Sequence, residues 1–512
     1  MLLLLDSNIT IATDPLGVEL EPGAAATLEF LRLATTHHHD LRSHPASRLD
    51  FDRIPDSGRR AARLSLFDRY EPLSAPPDIS DEQRAVLGQV TPNSNDAVDQ
   101  LLLAAVLRDA VDYLVTQDEG LHRRARRLGV EDRVLLVADA LSMLRTLHRA
   151  PPAPPPAVDA VKTHQLDLHD PIFDGLRTDY PGFDAWFQRT ARSQRDAFLV
   201  NGADRHAAIC IVKTEPAGEY GMAGPLLKLC TFKVAEGYSG QKYGELLLKA
   251  VFERANADSV KGCFVTVFDR HVALTALFEQ FGFNKLPVVT PSGEHVLAKP
   301  LLSETEVDQR LRADSWPTLP SAEIDAESAR TALGAHTRFG PPYLPPNATP
   351  FLVPIEPRWH RVLFPDAEPA DDALLPALTG TTRPFGNALR KAYLCNAPTR
   401  LLRPGDPLLF YRSSDYKAIF VLGVCESTLV SRDPAHIATT VGQRTVYSFD
   451  QIQELADSGP VLVVLFRQDR ILRDNPITLT EALAEGLVRS WPQTISRARA
   501  EGLTWLRQRL GA

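Results

Sequence analysis

Residues Val234–Val251 read "VAEGYSGQKYGELLLKAV". An apolar strand end enters a turn with Gly237 and Gly240. The turn opens a segment in which Leu246, Leu247, Ala250 and Val251 recur at helical spacing. Such a junction suits a pyrophosphate, because the N–H groups of a helix N-terminus lack partners of their own and point at the anion. Lys242 stands in the turn where another glycine is expected. Its ammonium can pair with a phosphate as a point charge. Alternatively, its Cβ opposes a left-handed backbone and distorts the turn.

The flanking segments extend this pattern. Ala207–Val212 and Leu226–Val234 read as strands before the turn, and Gly262–Phe268 as a strand after its helix. Ala273–Phe281 is helical and stops at Gly282, and Val296–Pro300 completes a mixed sheet. This order resembles the GNAT acetyltransferase family, in which a loop of pattern Q/R-x-x-G-x-G/A joins a strand to a helix. The six positions fall on Ser239, Gly240, Gln241, Lys242, Tyr243 and Gly244, of which Gly244 matches while Ser239 and Lys242 depart. Leu277–Phe283, "LFEQFGF", is similar to a later segment of the family. The resemblance covers about residues 160–302 and implies acetyl-CoA, with its pantetheine arm along the backbone of Phe232 and Val234. Amine attack on the thioester needs a base, for which Glu215, Glu236 and His271 are candidates. Phe278 stands where many members place a proton-donating tyrosine, and phenylalanine cannot donate.

Two proline-rich stretches divide the chain. Pro151–Pro156, "PPAPPP", is an extended linker over 151–159, and Phe339–Pro350, "FGPPYLPPNATP", closes a helical connector over 303–350. A length of 512 residues fits several domains, and 44 % apolar with 23 % charged residues fits globular ones. The net charge of −8 excludes a globally basic nucleic-acid binder and leaves local patches. Five scattered cysteines without CxxC spacing argue against a zinc ribbon and for a reducing, cytoplasmic setting. No segment reaches the length of a membrane span. The run His37–Asp40, "HHHD", reads as a loop without bound metal, since consecutive histidines do not share a helix face.

In residues 1–150, strands at Met1–Leu5, Tyr113–Thr116 and Val134–Val137 alternate with helices at Asp96–Val111 and Leu121–Leu128, which predicts a parallel sheet. Asp6 and Asp118 each follow a strand, where open α/β sheets bind ligands. Asp96 and Asp99 share a helix face. Converging carboxylates call for a divalent cation such as Mg²⁺ or Mn²⁺. "LLLLDSNI" and "NDAVDQLLLAAVLRDAVDYLVTQDEGLHRRA" resemble the two halves of a PIN domain. The resemblance implies a metal-dependent ribonuclease with Asp6, Asp96, Asp99 and Asp118 as catalytic acids and metal ligands. Asp50 is the candidate for a further ligand, with Asp52 close behind. Arg123, Arg124, Arg126 and Arg127 lie on the following helix, where they can track an RNA backbone or form a solvated face.

From 351 to 512, "PFLVPI", "PLLFYR", "AIFVLGVCEST" and "VLVVLFR" read as strands. The region resembles the PUA-like group, with its ASCH and EVE members, which implies a small β-barrel that recognises RNA or a modified base. Arg390, Lys391, Tyr393 and Arg412 are the candidate ligand-facing residues.

The sequence therefore suggests a multidomain α/β protein with a PIN-like parallel-sheet domain, a GNAT-like mixed-sheet domain and a PUA-like β-barrel domain. It reads as an N-acetyltransferase joined to a ribonuclease and an RNA- or nucleotide-binding module. Expected partners are RNA, a protein or aminoacyl acceptor and, in a toxin or stress setting, an antitoxin. The alternatives are a non-catalytic CoA- and RNA-binding regulator and a toxin in which the nuclease alone is active.

Overall fold

The computed structural model describes residues 1–11, 24–92, 94–148, 158–202, 205–235, 238, 242–303, 305–307, 309, 331–344, 348–367, 389–441 and 444–510. Glu236, Gly237, Ser239, Gly240, Gln241, the Pro151–Pro156 linker and most of the 303–350 connector lie outside these residues.

The first sheet contains β1 (Leu2–Leu5), β2 (Asp40–Ser43), β3 (Glu71–Pro72), β4 (Tyr113–Val115) and β5 (Val134–Leu135), in the order β3-β2-β1-β4-β5. All its pairings are parallel. An all-apolar β1 fits this position, because a central parallel strand is covered on both faces. Leu3 and Leu5 join Ile9, Phe30 and Leu144 on one side, and Leu4 joins Leu102, Leu103 and Leu114 on the other. The strand expected over Val134–Val137 stops at Leu135, and Val137 opens the helix Val137–Leu147. The helix expected from Asp96 to Val111 spans Asn95–Leu107, with Ser94 as its cap.

The second sheet contains β6 (Asp159–Lys162), β7 (Asp196–Asn201), β8 (His206–Glu215), β9 (Leu226–Val234), β10 (Gly262–Val267), β11 (Asn284–Val289) and β12 (His295–Pro300). Its order is β11-β12-β10-β9-β8-β7-β6, and only the β9–β10 pairing is parallel. The helix Tyr243–Ala257 crosses between these two strands.

The third sheet contains β13 (Phe351–Ile355), β14 (Arg390–Cys395), β15 (Pro407–Arg412), β16 (Ala418–Ser431), β17 (Val461–Ile471), β18 (Ile477–Thr478) and β19 (Ser496–Arg497). It runs β14-β17-β16-β15-β13-β19, with β18 on β16. Among the described residues the two ends do not pair, so the expected closed barrel is an open, curved path. Register shifts in β15–β16 and β16–β17 supply bends of the kind that β-bulges give.

The three sheets share cores. Ala392 and Leu394 of β14 pack in one cluster with Leu5, Phe30 and Met143 of the first sheet's layer. Leu389 packs with Leu247 and Phe278 around the second sheet. No helix is long and apolar enough to cross a membrane among the described residues.

Candidate active site

The β9–β10 ladder is short. Its register runs from Leu226 opposite Gly262 to Leu229 opposite Val265 and then stops. Beyond it, β9 stays bonded to β8 as far as Val234 opposite Ala208, while β10 stays bonded to β12. The two parallel strands therefore part after Leu229 and Val265. Unpaired strand edges of this kind offer backbone hydrogen bonds to an extended ligand.

Lys242 resolves the question its sequence position raises. It is the residue before the helix, in the left-handed conformation with φ 62° and ψ 14°. The backbone thus adopts the geometry that a glycine would take there, with a lysine side chain in place. The left-handed conformation costs a non-glycine residue roughly 1–2 kcal/mol. We expect Lys242→Gly to raise the chemical-denaturation midpoint, with a gain of up to about 1 kcal/mol once the extra freedom of the unfolded chain is subtracted. An unchanged midpoint would contradict strain at this residue. Lys242 Nζ lies 3.9 Å from Asp139 Oδ1 on the helix Val137–Leu147 of the first unit.

The helix that follows begins its internal bonding at Leu246 N–H to Lys242 O. The N–H groups of Tyr243, Gly244 and Glu245 therefore belong to the first turn, where the helix offers donors and positive potential. A Cβ at Gly244 would sit 2.7 Å from Leu277 Cδ2, so this glycine lets the helix Val272–Gln280 approach closely. Tyr238 and Tyr243 stack with ring centroids 5.6 Å apart.

Phe278 is fully buried, with its ring 5.0 Å from that of Phe232 and 4.8 Å from that of Phe283. It acts as core beneath the cleft and offers no proton. Of the candidate bases, Glu215 receives Lys213 Nζ at 2.7 and 2.9 Å, and His271 pairs with Asp179 at 3.0 Å. Both line the cavity.

Sequence reasoning missed Glu294. It precedes β12, is nearly buried and accepts three hydroxyl bonds: Tyr180 Oη at 2.7 Å, Ser292 Oγ at 2.8 Å and Thr266 Oγ1 at 3.1 Å. Thr266 is the β10 residue immediately after the last one paired with β9. The carboxylate therefore sits where the strands part. Burial, then the Glu294 hydrogen bond, pushes the Tyr180 hydroxyl up. No motif marks Glu294, since its donors come from three separate segments.

These groups line one cavity of about 2490 Å³ that also reaches Glu119, His122 and Arg123 of the first unit and Arg390 and Arg444 of the third.

The first unit gathers its acids at the strand ends. Asp6 accepts Thr116 Oγ1 at 2.6 Å and Asn8 Nδ2 at 2.7 Å, and Ser7 Oγ bridges to Asp50 Oδ2 at 2.9 Å. Asp50 rather than exposed Asp52 joins the group. Burial raises Asp6 to about 6, with Asp50 and Asp118 adding repulsion. Burial and then Asp118 raise Asp99 to about 7. Each raised carboxyl favours the protonated folded state. The stability this gives is complete below the ordinary carboxylate range and is lost as pH rises through about 6 and about 7.

As placed, these acids do not fit Mg²⁺ or Mn²⁺. Among the described residues no group of three or more His, Cys, Asp and Glu side chains is positioned to hold a metal ion. Asp118 caps the helix Glu119–Arg127 through the Leu121 N–H at 2.8 Å. Arg124 pairs with Asp96 and with Asp99, the latter at 2.6 Å, so the counter-cation here is a guanidinium. The expectation of Arg124 as an RNA contact is corrected accordingly. Arg123 and Arg126 are exposed on the cavity side, and Arg127 bonds the Val86 carbonyl.

The third unit's candidates are corrected more strongly. Lys391 is fully buried and donates to Leu363 O at 2.9 Å. Arg412 is fully buried and pairs with Asp415. Tyr393 is a core residue that donates to Pro354 O at 2.8 Å. Alternation along a strand sends every second side chain inward, and these charged residues occupy inward positions.

No curated protein matches the chain. Among solved structures, an ASCH protein from Zymomonas mobilis is similar at 14 % identity, over 31 % of this chain and 94 % of that one, with a TM-score of 0.23. A GNAT family acetyltransferase from Elizabethkingia anophelis with acetyl-CoA bound is similar at 15 % identity, over 28 % and 98 %, with a TM-score of 0.22. The ribosomal-protein-S18-alanine N-acetyltransferase from Escherichia coli is similar at 21 % identity, over 22 % and 76 %, with a TM-score of 0.18. Identities and scores this low leave the assignment to the family model alone. That model, the acetyltransferase (GNAT) family, matches residues 163–283, from just after β6 through both helices of the cleft, and this segment is a GNAT acetyltransferase domain.

Proposed function

We propose that the chain transfers an acetyl group from acetyl-CoA to an amine held where β9 and β10 part. The observation that carries this is the end of the parallel ladder at Leu229 and Val265, beyond which Phe232 and Val234 of β9 lie against Gly244 in the first turn of the Tyr243–Ala257 helix. The first-turn N–H groups would take the pyrophosphate, and the free edge of β9 at Phe232 and Val234 would take the pantetheine arm. The neutral amine attacks the thioester carbonyl, a C–N bond forms, the C–S bond breaks and the amine nitrogen loses one proton. Glu294 would first take one proton from the acceptor's ammonium, directly or through one water, to give that neutral amine, and the proton the nitrogen sheds after attack would pass through water to the leaving thiolate. The thiolate's proton does not come from Phe278. The acceptor is an amine on a protein or on an aminoacyl-RNA. The test is thiol release from acetyl-CoA, by the full chain, in the presence of amine acceptors. Release that never exceeds the rate without protein would overturn the reading.

A second reading, RNA cleavage at the first unit, is favoured by the gathering of Asp6, Asp50, Asp99 and Asp118 at the carboxyl ends of parallel strands. The full chain should then cleave RNA, and cleavage should vanish in the Asp6→Asn/Asp118→Asn variant. Equal cleavage by wild type and variant removes this reading.

A further inference from the structure

Three arginines of the third unit converge on one carboxylate. Glu426 Oε1 lies 2.9 Å from Arg390 Nε and 2.6 Å from Arg467 Nε, and its Oε2 lies 3.3 Å from Arg444 Nη1. The arginine side chains are 16 %, 11 % and 16 % exposed for Arg390, Arg467 and Arg444, so all three charges are largely out of water. Among the described residues no other carboxylate stands at ion-pair distance from them. Glu245 takes the backbone N–H of Arg390 at 2.6 Å and its charge acts on all three arginines through space, as that of Asp132 of the first unit does on Arg390 and Arg444. Burial, with the neighbouring charge of Arg390, holds Arg444 and Arg467 below the usual arginine value. One carboxylate at ion-pair distance cannot occupy the donors of three guanidinium forks, and the donors left over can hold an anion.

The position of the trio matters as much as its charge. Glu245 is in the first turn of the Tyr243–Ala257 helix. Arg467 Nη1 donates to Gln280 O at 3.2 Å, at the end of the neighbouring helix, and its guanidinium lies 5.3 Å from the Phe281 ring centre. The arginines thus border the space between the start of one cleft helix and the end of the other. Arg390 and Arg444 face the same cavity as Lys242, Tyr243 and Gly244.

We propose that Arg390, Arg444 and Arg467 form a second anion site of the acetyl-transfer cleft, and that it receives the ribose 3′-phosphate of the CoA nucleotide. This rests on the acetyl-CoA reading above. The third unit then completes the cofactor site of the middle unit. The chemistry suits the residues. A phosphate monoester carries close to two negative charges and three acceptor oxygens, which match guanidinium forks better than the spare N–H groups of one helix turn. Those N–H groups remain for the pyrophosphate.

The test is calorimetric titration of the full chain with CoA and with dephospho-CoA, which lacks only the 3′-phosphate. Wild type should bind CoA about 10-fold or more tighter than dephospho-CoA, as loss of a charge-assisted hydrogen bond implies. Arg444→Gln should lose about that factor for CoA and stay within about two-fold of wild type for dephospho-CoA. If wild type binds the two ligands equally, the inference is overturned whatever the variant does. If the variant weakens both ligands alike, it is overturned as well. If wild type binds neither ligand, the acetyl-CoA reading itself has failed. Should Arg444→Gln fail to fold, the wild-type ratio decides alone.

Discussion

Replacing Lys249 with methionine is expected to lower the stability of the folded chain by about 3–5 kcal/mol, the usual cost of leaving one member of a buried ion pair alone. Lys249 lies in the middle of the cleft helix and pairs with Asp366 of the third unit, with side-chain exposures of 1 % and 4 %. Gln468 Oε1 stands 3.5 Å from the same ammonium. The lysine holds the Asp366 carboxyl below its usual range against the opposing effect of burial. Removing the ammonium leaves the buried Asp366 carboxyl without the partner that holds its charge. The paired variant Lys249→Met/Asp366→Leu should recover most of the loss, since replacing both partners by apolar groups is often close to neutral. Denaturant titration of the two variants checks this. A single variant within about 1 kcal/mol of wild type would mean that the pair does not tie the two units together.

Glu294→Gln is expected to lower kcat/KM for acetyl transfer by about 10²–10⁴-fold, the range for loss of a positioned general base. Glutamine preserves size and can still accept from Tyr180, Thr266 and Ser292 through its carbonyl, so folding should be spared. It cannot take a proton from the amine or balance an ammonium. Binding of CoA should be unaffected, because the proposed pyrophosphate and pantetheine positions are on the helix turn and on β9. Steady-state rates and CoA titration on the same preparation separate these effects. A variant with wild-type kcat/KM would transfer the role to another cavity acid, with Glu215 and its Lys213 partner first in line.

The middle unit was the most legible part of the chain. A strand end, a turn and a helix lie within eighteen consecutive residues, and hydrophobic spacing of 2 and 3.6 residues is a local property of backbone geometry. The departure at Lys242 was visible, but the sequence could not choose between its two readings. The φ of 62° shows a lysine holding a glycine's conformation. In the first unit, acids after strands were equally visible, and the strand order brings them together. Their use was not visible, because Arg124 comes from the following helix to pair with Asp96 and Asp99. In the third unit the strands were recognisable while the facing of Lys391 and Arg412 was not. Charge alone suggests exposure, yet each points inward to a partner distant in sequence or around a turn.

The sequence by itself determined the elements and their order: an apolar β1 ending in Asp6, the turn into the Tyr243–Ala257 helix, and the strand-rich last third. Each follows from side-chain patterns spanning a few residues. Only the tertiary structure decided that the β9–β10 ladder ends at Leu229, that Glu294 sits at that opening, and that Lys249 and Asp366 join two units that a proline-rich segment divides in the sequence. The physical reason is range. Periodicity is enforced by neighbouring dihedral angles, whereas burial and charge pairing are set by side chains that the fold brings together from separate segments of the chain.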